Sequence, residues 1–412
     1  MRIATLQQFN TGLNGILDNQ GGVNKTQQQI STGRRVLTPA DDPIAATKIL
    51  QLQQELALND QYTRNMTAAD NRLKLEEATL KSVTANLERV KELTVQAGGG
   101  SLTITDRQAI AAEIYQLQEG LADLLNTKDA GGEYIFAGFK GSQMPFVKAD
   151  NGRYEYQGDE GQRYLALSNS TTVATGDNGK ALFVDVPAAK NTFTTQLNPL
   201  NKGTLQVNPG FVTDEEKYSE FYPDDLIITF NAESAVDPKG ANFTVRRASD
   251  NRIVEGMANV AYSEGSAITA AGVTLSLNGK AEPGDQVLAR STPKQSVTDT
   301  IFRLNAGLNT LGDNPIDSET LDILIEDTLV NLTNAQASVS EIRSNLGARL
   351  NVVENTRSLA ADVKVVNQEV LSKLADVDYA EAVSRLAQQT FMLEAAQQSY
   401  VKISQLSLFN QI

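Results

Sequence analysis

"STGRRVLTPADDPIAA", residues 31–46, lies between two stretches that both read as helix, yet it holds a glycine, two prolines and an acidic pair. Gly33 can take a positive φ that side-chain-bearing residues resist. Pro39 and Pro43 fix φ locally and push Thr38 and Asp42 away from helical geometry. Pro43 suits a first helical turn, and Asp41 or Asp42 can cap the helix that starts there. A capped turn accounts for the acids and Pro43. It leaves Arg34 and Arg35 unexplained, so the stretch reads as a specified junction between two helices.

Upstream of it, Leu6, Phe9, Leu13, Ile16, Gln20, Val23, Gln27 and Ile30 step by three and four residues in alternation, a heptad seam with two polar interruptions. Gly12, Gly15, Gly21 and Gly22 fall inside it, and each costs a helix roughly 1 kcal/mol relative to alanine. Such a segment needs partners to stay helical. Downstream, a long helix runs from Pro43 to the glycines at 98–100, with Met66, Ala69, Leu73, Leu80, Val83, Leu87, Val90 and Ala97 on its stripe. Another is expected from about Thr105 to Lys128, capped by Thr105 or Asp106 and stopped by Gly131 and Gly132.

The C-terminal third mirrors this pattern. Ser318 is a candidate cap, and a seam of three- and four-residue steps runs from Leu321 through Ile325, Leu332, Val339, Leu346, Val353, Ala360, Val363 and Val370 to Val377. A period sustained that far specifies a long rod in a coiled-coil-like bundle. After Asp376 and Asp378 a last stripe follows, with Val383, Leu386, Leu393, Ala396, Tyr400 and Ile403. Residues 148–290 have a different grammar. "RYEYQG" and "QRYLALS" read as one hairpin, and "ALFVDV", "DLIITF", "NFTVRRA" and "VTLSLN" as strands. The expected fold class is α+β: a long antiparallel helical bundle built from both chain ends, with an inserted β-rich domain.

Composition narrows function. The 412-residue chain carries a formal net charge of −14, which opposes binding to nucleic acid or anionic membrane. It has no Cys, His or Trp, so disulfides, thiolate chemistry and the commonest general base are missing. No apolar run reaches a membrane span, and the N-terminus lacks a classical signal peptide. The plain reading is a cytosolic protein, the alternative export without a cleaved signal. Ser291-Thr-Pro-Lys294 and Ser249-Asp250-Asn251 stand in the wrong order for a serine acyltransferase. The acidic "DEEKYSEFYPDD" at 214–225 lacks EF-hand spacing and reads as a solvated loop. No catalytic, cofactor-binding or metal residues are expected. The binding candidates are seam residues of the two ends: Leu6, Phe9, Leu13, Ile16, Val23 and Ile30 as one stripe, and Leu386, Leu393, Tyr400, Ile403 and Leu406 as the other. Gly33, Arg34, Arg35, Pro39, Asp41, Asp42 and Pro43 form the candidate junction.

"ISTGRRVLTPADDPIAA" at 30–46, "GGEYIFAGFKGSQMPF" at 131–146, "SEIRSNLGARLNVVENT" at 340–356 and the segment from Asp378 to Ile412 resemble the flagellin superfamily. The Thr-Pro-Ala-Asp-Asp-Pro form is more similar to the hook–filament junction branch than to flagellins, which usually read Asp-Asp-Ala there. The resemblance covers roughly 1–147 and 290–412. It implies an inner helical layer, D0, from 1–42 and 376–412, disordered in the monomer, a D1 bundle from 43–147 and 291–375, and an outer D2 from 148–290. It further implies a non-enzymatic adaptor that forms a homo-oligomeric ring between the first hook-associated protein and the flagellin filament. Export would run through the flagellar type III apparatus, with a cytoplasmic chaperone on the C-terminal helix, to an extracellular position in the flagellum. Arg34 and Arg35 would then pair with the nearby acids or with a neighbouring subunit. Two other readings stand beside it: a filament flagellin, and an enzyme whose site lies in the β-rich middle.

Overall fold

The computed structural model describes residues 2–100, 102–149, 151–208, 210–237 and 239–409; the side chains of 2–6, 8, 9, 316 and 403–409 lie outside the description. The fold is α+β, with long helices from both chain ends and a β-rich middle. Two compact units divide it, one from 1–65 and 354–412, the other from 66–353.

The helices are α1 (Arg2–Thr32), α2 (Pro43–Ala97), α3 (Ile104–Leu125), α4 (Glu215–Phe221), α5 (Val297–Thr310), α6 (Pro315–Ala375) and α7 (Tyr379–Phe409). The strands are β1 (Phe146–Lys148), β2 (Tyr154–Tyr156), β3 (Tyr164–Ala166), β4 (Thr172–Ala174), β5 (Pro187–Leu197), β6 (Gln206–Val207), β7 (Phe211–Val212), β8 (Leu226–Phe230), β9 (Asn242–Arg247), β10 (Val260–Ala261), β11 (Ala267–Ala270), β12 (Val273–Asn278) and β13 (Gln286–Lys294).

In the larger unit the expected stripes form the core. Met66, Leu73, Leu80, Val83, Leu87 and Val90 of α2 are buried, as are Ile114 and Leu121 of α3 and Leu332, Val339, Leu346 and Val353 of α6. Helix α3 starts one residue earlier than expected and ends at Leu125, three residues short of Lys128. Its cap is Thr103, in a reciprocal capping box with Asp106, rather than Thr105 or Asp106. Helix α5 is absent from the reading of the sequence. It packs against α3, and Val297, Ile301, Leu304 and Leu308 are buried. Thr298, Asp299 and Arg303 are buried as well, which breaks up the apolar stripe in the sequence. Ser296, with Asp299 three residues on, was the available signal.

The β region holds a five-stranded antiparallel sheet in the order β10-β9-β8-β13-β5 and a smaller sheet in which β12 pairs with β11, β6 and β7. "DLIITF", "NFTVRRA" and "VTLSLN" are strands as expected. The expected hairpin is not formed. Strand β2 pairs back to β1 and β3 forward to β4, because Phe146 faces Tyr156 and continues into an aromatic cluster with Phe183 and Phe136. "ALFVDV" is likewise not a strand: Lys180–Val184 is one wide helical turn that buries Leu182 and Phe183, an ambiguity inherent in short apolar runs. The acidic 214–225 stretch is no solvated loop either. It contains α4, capped by Asp214, which buries Tyr218 and Phe221 against the sheet core.

Candidate functional site: the helix junction and the terminal helix pair

In the smaller unit, the two connectors that bring the chain from α1 to α2 and from α6 to α7 are stitched to each other. Gly33 takes φ +69°, and its carbonyl accepts from the Val377 N–H at 2.9 Å, while the Arg35 N–H donates to the Ala375 carbonyl at 2.7 Å. Arg34 and Asp376 form an antiparallel bridge between these two bonds. Only a residue free to enter the left-handed region turns the chain out of α1 and presents its carbonyl to 377.

The side chains complete the junction. Arg35 donates from Nη2 and Nε to the Leu374 carbonyl at 3.0 and 3.2 Å, and its Nη1 lies 3.6 Å from Asp42. It therefore neutralises the exposed carbonyl end of α6 as well as an acid. Gln29 of α1 donates to the Arg35 carbonyl at 2.6 Å. The acids divide their roles. Asp42 caps α2 by accepting the Ala45 N–H at 3.0 Å, with Pro43 as the first helical residue. Asp41 holds the preceding turn instead, accepting from Leu37 and Thr38 at 3.1 and 2.9 Å and pairing with Lys25 at 2.7 Å. The Lys25 hydrogen bond, followed by that from Thr38, brings the Asp41 carboxyl down to about 2. Pro39 sits on the exposed outside of this turn. Asp378 caps α7 in the same manner as Asp42 caps α2, accepting from Ala380 and Glu381.

Helices α1 and α7 pair with each other. Thr26 donates to Gln389 at 2.7 Å, and a methyl added to Gly12 would lie 3.1 Å from the Tyr400 ring. Two of the four glycines in α1 thus admit side chains of α7, Gly12 that of Tyr400 and Gly22 that of Gln389, whereas Gly15 and Gly21 face open space. Of the sequence candidates, Ile16, Val23, Ile30, Leu386, Leu393 and Tyr400 are half-buried and Leu13 is exposed. The side chains of Leu6, Phe9, Ile403 and Leu406 lie outside the described residues. The α2–α6 part of this unit is held by polar contacts: Asn59 to the Ala360 carbonyl at 2.9 Å, Lys364 to Asp60 at 2.8 Å and Asn367 to Glu55 at 3.2 Å.

Cover over apolar surface is scarce in this unit. Among its described side chains only Thr26, Gln29, Ala45 and Ala382 are buried. Ile44, Leu17, Leu359, Val365, Val366, Val383 and Met392 are exposed, and Phe391 is 72% exposed. Leu17, Phe391 and Met392 lie off the expected seams. The signal for them was that they are large apolar residues beside the seam, Leu17 next to Ile16 and Met392 next to Leu393. Among the described residues no group of acids could hold a metal ion, and no helix is long and apolar enough to cross a membrane.

Two family models match the chain: the bacterial flagellin N-terminal helical region over residues 3–140 and the bacterial flagellin C-terminal helical region over 329–411. The chain belongs to the flagellin superfamily. Flagellar hook-associated protein 3 of Escherichia coli K12 is 27% identical over 409 residues, 99% of each chain. A crystal structure of flagellar hook-associated protein 3 from Legionella pneumophila aligns with a TM-score of 0.54 and 29% identity, over 79% of this chain and 98% of that one. A structure of the flagellar junction protein FlgL from the same organism aligns at 0.50 and 28%, over 80% and 99%. Flagellins match over shorter stretches of this superfamily member.

Proposed function

We propose that this chain is a structural protein of the bacterial flagellum, the adaptor that joins the hook to the flagellin filament, and that it performs no catalysis. The likeness over full length to hook-associated protein 3, against partial matches to flagellins, supports this over the filament-subunit reading. The observation that carries the mechanism is the near absence of buried apolar residues among the described side chains of the unit formed by the chain ends. Burying a leucine-sized side chain contributes roughly 1.5–3 kcal/mol, so a unit that leaves Ile44, Leu17, Val383 and Phe391 in water gains that stabilisation only from neighbours.

Helix against helix, α1 and α7 of one subunit pack on those of the next in a ring. Leu6, Phe9, Leu13, Ile16, Val23, Ile30, Leu386, Leu393, Tyr400, Ile403 and Leu406 supply the seams, and Leu17, Phe391 and Met392 the outer contacts. Residues 1–42 and 376–412 act as the inner layer, ordered on assembly. Residues 43–147 with 291–375 act as the bundle around it, and 148–290 as the outer domain. The first hook-associated protein lies on one side of the ring and flagellin on the other. Export runs through the flagellar type III apparatus without a cleaved signal, with a cytoplasmic chaperone covering α7 beforehand.

Deleting residues 380–412 tests this. The larger unit is expected to melt unchanged while filaments are shed or never attach. A fall in the melting temperature of the larger unit would place α7 inside the monomer's own core and refute the reading. Filaments growing from the purified protein on its own seeds would favour the flagellin reading instead.

A further inference from the structure

Within the larger unit, Glu76 of α2 is fully buried. Its Oε1 accepts the Asp177 N–H at 3.1 Å, whereas its Oε2 has no hydrogen-bond partner. The surrounding charges are already committed. Arg349 of α6 is bidentate on Asp177 at 2.8 and 3.0 Å. Arg72 of α2 pairs with Asp129 at 2.9 Å and Glu133 at 3.5 Å in the loop after α3. Arg163, just before β3, binds Glu133 too and donates to the Phe139 carbonyl. Tyr164 is the remaining titratable group facing Arg349. Three arginines thus serve Asp177, Asp129 and Glu133, and Glu76 is the acid left over. A buried carboxylate without its own cation gives up its charge.

The backbone at Gly176 packs against this group. A methyl added at Gly176 would lie in ordinary contact, 3.7 Å from the unpartnered Oε2 and 3.6 Å from Arg72 Nε, which also lacks a hydrogen-bond partner.

We propose that Glu76 keeps its proton in the folded protein and works as a proton-dependent clasp, tying the segment after β4 to α2 and α6, so that loss of the proton loosens that segment. Ionisation would place a second negative charge beside Asp177 and compete for Arg349, which ties this segment to α6. Burial, then the Asp177 charge, pushes the Glu76 carboxyl well above the usual 4.5, against the pull of the Asp177 N–H, Arg349 and Arg72. The sign follows. A carboxyl raised on folding lends stability that is fully present below its unfolded value and is lost as pH rises through its folded one.

The test uses the full chain and its Glu76→Gln variant, which fixes the neutral form. Unfolding midpoints are measured from pH 5 to pH 9. The variant is expected to gain on the wild type steadily as pH rises. A difference independent of pH overturns the proposal. In wild type labelled with ¹³C at glutamate carboxyls, one resonance is expected to stay protonated at pH 6.5 while the others have ionised. Complete ionisation of every glutamate at that pH overturns it as well, even if the variant fails to fold.

Discussion

Replacing Gly33 by alanine tests whether the junction depends on one backbone conformation. Gly33 stands at φ +69°, and an added methyl would lie 3.2 Å from the Tyr379 hydroxyl. The left-handed region costs a side-chain-bearing residue roughly 1–2 kcal/mol. Alanine also narrows the unfolded ensemble, which offsets about 0.4–1 kcal/mol of this. The net loss is about 1 kcal/mol, equivalent to roughly fivefold more frequent opening. Two amides report it directly, Arg35 and Val377, whose bonds to Ala375 and Gly33 clip the connectors together. Their hydrogen exchange should quicken by about that factor, while amides in the core of the larger unit keep their rates. Asparagine enters the left-handed region more readily, so Gly33→Asn should exchange more slowly than Gly33→Ala. Adding Tyr379→Phe to Gly33→Ala relieves the contact but leaves the backbone cost, and should recover only part of the loss. Unchanged exchange in Gly33→Ala, or a worse result for asparagine, would refute the claim that the positive φ sets the junction.

Two further outcomes follow from the charges. Arg153 binds Asp299 through two bonds of 3.0 and 2.8 Å with both side chains buried, so Asp299→Ala leaves a buried guanidinium unpaired; chemical denaturation should show the larger unit weakened by about 3–5 kcal/mol, and a loss under ~1 kcal/mol would mean that water reaches Arg153. The Asp41 carboxyl lies below its ordinary 3.8, at about 2, so its stabilisation of the junction is present above the ordinary value and lost as pH falls through the lower one. Exchange protection at the Thr38 amide should therefore drop between pH 4 and pH 2 in the wild type, and an Asp41→Asn variant should show no such step.

The sites legible in the sequence were those set by near neighbours. Gly33, Pro43 and the Asp42 cap are consequences of a few adjacent residues, and the structure uses them at the places their chemistry suggests. The approach of Arg35 to Asp42 was legible, but its bonds to the Leu374 carbonyl were not, because that acceptor is 339 residues away in the chain. Asp41 looked equivalent to Asp42, and only the approach of Lys25 and the turn at 37–38 separates them. In the β region the strand-like runs were visible but their pairing was not. The Phe146–Tyr156 and Phe146–Phe183 contacts choose the partners, and one of the runs folds into a helical turn to join them.

By itself the sequence determined the period of the long helices, and with it the α+β division between helical ends and a β-rich middle. Periodicity is a local property that survives in any context. Only the tertiary structure decided where that period is covered. On α6 one seam runs on without a break, yet Leu332, Val339, Leu346 and Val353 are buried, whereas Val363 and Val370 are exposed. The stripe is the same on both sides of residue 353. The difference is that α2 and α6 have a core to close around in one unit, while in the other the chain carries too few apolar partners to shut out water.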